Sequence, residues 1–174
     1  MNFHPLIVHF PVALLTVYCV FEVLRFRKLL ENQIIFWIKG TFAILGSLSL
    51  LPAYASGEII QNQFEDVRKV VEVHSMFAKS AIIVFGLVGF FYLVEVLAKN
   101  TSIVNKLGPL NNIFLKVAKF IDDIVFKKHI IVILAVLGFI ILMILGALGG
   151  IIAHGQDIDP ITSFVYKIFF GSSS

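Results

Sequence analysis

The chain has 174 residues, 59% of them hydrophobic and only 14% charged, with 18 phenylalanines. Water-soluble domains carry about 25% charged residues, so the composition points to one compact membrane domain, and no nucleic-acid partner is expected. The single cysteine, Cys19, excludes an intramolecular disulfide and any Cys-based metal motif, and the net charge of +3 decides nothing until the charges are placed.

A bilayer core of about 30 Å takes roughly 20 apolar residues in a helix. Four runs meet that length, at about residues 4–24, 34–55, 70–97 and 130–153. Unpaired strands cannot survive in lipid, so the predicted fold is all-α, a four-helix transmembrane bundle. The segment before the first run has no basic region, and no small-residue cleavage site follows it, so a cleaved signal peptide is not expected.

Lys and Arg set the orientation. Arg25, Arg27, Lys28 and Lys39 follow the first run; Lys99, Lys106, Lys116, Lys119, Lys127 and Lys128 lie between the third and fourth. The other side holds Arg68, Lys69 and Lys167, and is acidic by comparison, with Glu58, Glu65, Asp66, Glu72, Asp157 and Asp159. The basic side is predicted to face the cytoplasm, with both termini outward.

Outside the spans, residues 110–126 place Leu110, Ile113, Phe114, Val117, Ile121, Ile124 and Val125 at helical spacing, with Asn111, Lys116, Lys119, Asp122 and Asp123 on the other face. This predicts an amphipathic surface helix on the inner leaflet or against a partner protein; Gly108 and Pro109 mark its start. The tail after Pro160 is short and apolar, with Phe164, Phe169 and Phe170, and is expected to rest on the outer surface.

This topology sends His4 and His9 on the first helix, His74 on the third and His154 on the fourth to the outer side, and leaves His129 inside, beside Lys127 and Lys128. His9 lies about 7.5 Å deeper than His4 at 1.5 Å per residue. An ionisable ring at that depth costs free energy unless it is paired, so these four histidines are the candidate ligands. The bland alternative for each is a ring satisfied by a backbone carbonyl or interfacial water. Glu22 and Glu95 sit at the inner ends and read as interfacial charges. No serine or cysteine nucleophile accompanies the histidines, so a hydrolase is not indicated.

Neutral imidazoles ligate haem iron, zinc and copper, and helix bundles build such sites from facing helices. A flat porphyrin needs small neighbours. Gly146, Gly149 and Gly150 precede His154, Ala78 and Ala81 follow His74, and Ala53, Ala55, Ser56 and Gly57 close the second run. The same residues would equally serve close helix packing. Pro5 suits the first helical turn, and Pro11 is expected to kink the helix beside His9 and aim it inward. Lys79 either snorkels or meets a haem propionate; Arg68 and Lys69 are further propionate candidates.

The string from His4 to Leu15, HPLIVHFPVALL, resembles the signature of a bacterial four-helix membrane family catalogued as domain of unknown function two-two-three-one. Ser56–Gly57, His74 and the Gly149–Gly150 to His154–Gly155 stretch are similar to its later motifs, and the likeness covers nearly the whole chain. The long loop with the amphipathic segment departs from that pattern. Some members are joined to c-type cytochrome domains. The resemblance therefore implies a redox role in the bacterial cytoplasmic membrane, with His4, His9, His74 and His154 as the residues to watch.

The leading expectation is a b-type cytochrome-like protein with one or two haem b groups. Its partners would be quinol, a cytochrome c-type acceptor or other respiratory subunits, besides membrane lipid. His9 with His74 or His154 is the preferred ligand pair. The alternatives are a zinc or copper site in the same cluster of His9, His74, His154 and His4, and a non-catalytic subunit of a larger membrane complex.

Overall fold

The computed structural model describes residues 3–24, 33–156 and 159–171. Arg25, Arg27, Lys28 and Asp157, used above to set the orientation, lie outside the described residues. Every regular element among the described residues is helical.

Helix α1 spans His4–Val23 and α2 spans Gln33–Ile60. Two short turns, Gln61–Gln63 and Glu65–Val67, lead into α3, Arg68–Ala98. Then come α4, Thr101–Lys106, and α5, Asn111–Ile121, which runs into a wide π-type turn at Asp122–Phe126. Helix α6 is Ile130–His154 and α7 is Pro160–Phe170. The helices α1, α2, α3 and α6 are each long and apolar enough to cross a membrane.

These four close into a ring. Helix α1 packs on α2 and α6, and α3 packs on the same two, so α1 and α3 stand on the diagonal. With almost no polar side chains to pair, the helices are held by close packing, which small residues permit. A Cβ on Gly138 would lie 2.5 Å from Phe85 Cζ, and one on Gly46 would lie 2.6 Å from a Leu15 methyl. Ser47 Oγ lies 2.5 Å from the carbonyl oxygens of both Ala43, on its own helix, and Phe85, on α3, which share its one proton. The middle of the bundle is filled by Leu15, Ala43, Ala81, Phe85, Val88, Ala135 and Leu142, all buried.

The outside is as apolar as the inside. Leu6, Leu48, Ile83 and Ile133, one on each long helix, all expose more than half their surface. A monomer in water rarely shows apolar surface on this scale.

Helix α5 differs from its sequence reading in one respect: its apolar face is split. Ala118, Ile121 and Val125 turn inward and pack with Phe114 into the bundle core, while Leu110, Ile113, Val117 and Phe120 stay exposed. Lys116 and Lys119 occupy the remaining, exposed arc. The tail forms a regular helix, α7, because Asp159 and Thr162 make a reciprocal capping box and Pro160 supplies a preset φ at its first turn.

Candidate functional site

One end of the ring carries the histidines and the other carries Glu22. At the histidine end, His4 opens α1, and its Nδ1 lies 2.7 Å from Ser56 Oγ on α2. Ser56 has one hydroxyl hydrogen and donates it back to the Ala53 carbonyl at 2.7 Å. Toward His4 the serine oxygen can therefore only accept. That places the proton of the neutral imidazole on His4 Nδ1 and leaves the lone pair on Nε2, which is how a second hydrogen bond selects the tautomer of a ligating histidine. The His4 ring rests on Gly57, where a Cβ would come within 3.1 Å of Cε1.

His74 projects from α3 across the diagonal. Its Nδ1 is buried and has no hydrogen-bond partner. Its ring lies over Gly149 of α6, where a Cβ would sit at 3.7 Å. All four helices of the ring thus contribute to this end of the bundle: two imidazoles, and two glycine surfaces that leave room for them.

The other residues singled out from the sequence lie elsewhere. His9 is exposed on α1, and its Nδ1 bonds the Pro5 carbonyl one turn back; Pro11 is buried in the helix, but His9 is not turned inward. His154 is the last residue of α6 and exposed, as is Lys79 on α3. His129 precedes α6 in the left-handed region at φ 63°. The fold thus leaves His4 and His74 as the partly buried rings of this end, while His9 and His154, favoured as partners of His74 from depth, are exposed. Among the described residues, no group of three or more His, Cys, Asp or Glu side chains is placed to hold a metal ion. Of the small residues, Gly149 faces His74 and Gly150 faces Thr162 of α7, while Gly146 has no neighbour within 4 Å.

The opposite end holds a cluster that the sequence reading treated as interfacial charge. Glu22 is fully buried, at 0% exposure. Its Oε2 accepts from Tyr92 Oη at 2.6 Å and pairs with Lys39 Nζ at 2.9 Å. Three helices are thereby joined through one carboxylate. Tyr18 packs edge-on against Tyr92, and Phe126 does the same from the π-type turn. Lys99 places its ammonium 3.3 Å from the Phe36 ring centre. Glu95 is also buried, with Oε1 lacking a partner. One sequence signal was available for this cluster. Tyr18 and Glu22 are four residues apart and share a helix face, a pairing that lipid-facing positions would not favour.

No protein-family model matches the chain, and no curated protein or solved structure is similar to it.

Proposed function

We propose that the chain is an integral membrane protein that transfers electrons through a b-type haem held by His4 and His74 near the outer face. The observation that carries this reading is the buried ring of His74, whose Nδ1 has no protein hydrogen-bond partner, at the same end of the ring as His4, which Ser56 holds. A buried imidazole nitrogen left unsatisfied costs about 1–3 kcal/mol, and a metal ion would relieve it.

Ligand count favours haem over a bare ion. Structural zinc takes four protein ligands and catalytic zinc three, whereas a porphyrin supplies four nitrogens and asks the protein for only one or two axial ligands. Two imidazoles from diagonal helices meet that need. When bound, the haem would supply one-electron chemistry. The chain's own residues would do the rest: His4 and His74 would hold the iron, Ser56 would orient His4, and the apolar filling beneath would exclude water.

Four apolar helices with lipid-facing side chains and an excess of Lys and Arg beside the Glu22 end support insertion with that end toward the cytoplasm. The resemblance of the His4–Leu15 string to a bacterial membrane family with cytochrome-linked members supports a respiratory setting, with quinol and cytochrome c-type partners.

The test is a reduced-minus-oxidised visible spectrum of protein produced with ample haem, alongside elemental analysis. A bis-histidine haem band that survives in His9→Ala and His154→Ala but is lost in His4→Ala and His74→Ala is the expected result. Copper or zinc at one ion per chain without a haem band would assign the same two rings to a different metal. Neither haem nor metal would end the reading.

A further inference from the structure

Between the start of α3, the end of α6 and α7 lies a half-open groove of about 900 Å³. It belongs to the same end of the bundle as the histidines but contains none of them. We propose that it binds the ring of a membrane quinone or quinol. This choice of ligand class rests on the electron-transfer reading; the chemistry of the walls is independent of it.

The volume falls in the range of small-molecule sites, roughly 300–1,000 Å³. One wall is aromatic: Tyr166, Phe169 and Phe170 of α7 line it, with the Tyr166 and Phe170 rings in tilted contact at 5.1 Å and Phe169 braced edge-on against Phe77 of α3. The floor is Val70 and Ile151, both buried in a small apolar cluster. The lining is also polar at its rim: the exposed residues Glu65, Asp66, Arg68, Lys69 and Glu72 border it, with Arg68 paired to Glu72 at 3.2 Å.

Three acids against two bases make this rim slightly negative, which disfavours an anionic phospholipid headgroup. Acceptors and donors of both kinds suit a neutral ring with oxygens at its two ends. The exposed face of α7 carries Ile161, Phe164 and Ile168, so an isoprenoid tail leaving the groove would run along apolar surface into the lipid. Placement fits as well. Val70 of the floor is four residues from His74, one helical turn or about 6 Å along α3.

The experiment is photolabelling of the full chain in lipid nanodiscs with an azido-substituted short-chain quinone, read by peptide mass spectrometry. Saturable labelling of residues 160–170 and 65–72, blocked by excess unlabelled quinone, is expected. Tyr166→Leu should weaken half-saturation by about fivefold to tenfold, the loss of one stacking ring. Lys69→Trp, an exposed substitution that fills the groove, should abolish labelling while helicity by circular dichroism is unchanged. Labelling spread along the lipid-facing helices without competition, or a co-purified phospholipid that must be stripped before any label enters, would overturn the proposal. The assay needs no haem. Haem without competed labelling defeats this site alone, and competed labelling without haem defeats only the cytochrome.

Discussion

The two ends of the bundle solve the same problem in opposite ways. Each brings polar side chains from separate helices into an apolar surround. At the Glu22 end the central carboxylate takes an ammonium at 2.9 Å and a phenol at 2.6 Å, although the neighbouring Glu95 keeps one buried oxygen without a partner. At the histidine end, one ring is held by Ser56 and the other keeps a buried nitrogen with no partner. A polar network that joins helices rigidifies a fold, whereas an ionisable ring left open within a span is a candidate for binding. The difference teaches that Glu22 is to be read first as scaffold and His74 first as site.

The sharpest way to break this comparison is to remove Lys39. Lys39→Met takes a charged partner at 2.9 Å away from a buried carboxylate and should cost about 3 kcal/mol, seen as a lower midpoint in detergent unfolding; a loss as small as that of a surface substitution would mean that Glu22 is not a structural centre. Tyr92→Phe removes one hydrogen bond to a charged group and should cost about 2 kcal/mol by the same measurement. Gly57→Ala pushes a methyl against His4, where a few tenths of an ångström must be found, and should cost about 1 kcal/mol. Gly149→Ala, in ordinary contact distance of His74, should leave both midpoint and spectrum alone. His74→Leu in haem-free protein should change stability by less than about 1 kcal/mol, because it removes an unsatisfied nitrogen; a loss as large as that of Lys39→Met would erase the contrast between the ends.

The smallest effect is expected at α7. Backbone hydrogen bonding from Thr162, and further bonds from Ile161 and the Thr162 hydroxyl, hold the Asp159 carboxyl below the usual carboxylate range. Its contribution is therefore present above the ordinary carboxylate pKa and is lost as pH falls through the lowered value. Amide exchange at Ile161 and Thr162 should accelerate on acidification while the core of α6 stays protected.

Spans of this length and apolarity are legible from sequence because the bilayer requires them, and α1, α2, α3 and α6 begin and end within a few residues of the hydropathy runs. The capping box of α7, Asp-Pro-Ile-Thr, stands in the sequence, but the tail is read from it only as a short apolar stretch. The site was harder because depth and direction are separate quantities. His9 was favoured for its depth, yet five residues turn a helix by about 140° beyond a full revolution, so His4 and His9 cannot both face the axis. The Glu22 cluster needs the relative rotation of α1, α2 and α3, which no single run of residues encodes. Tyr18 four residues before Glu22 gives only the shared face, not the partners across it. The split face of α5 was hidden for the same reason: periodicity shows which residues are apolar but not which half of that arc the bundle will claim.

The plug between the ends has a bearing on bioenergetics. Leu15, Phe85, Val88, Ala135 and Leu142 are buried apolar side chains between the two ends. Were the proposed haem bound at the histidine end, this filling would set it apart from the Glu22 end, and its reactants and products would exchange with one aqueous compartment. Turnover of that kind would move no net charge through the bilayer.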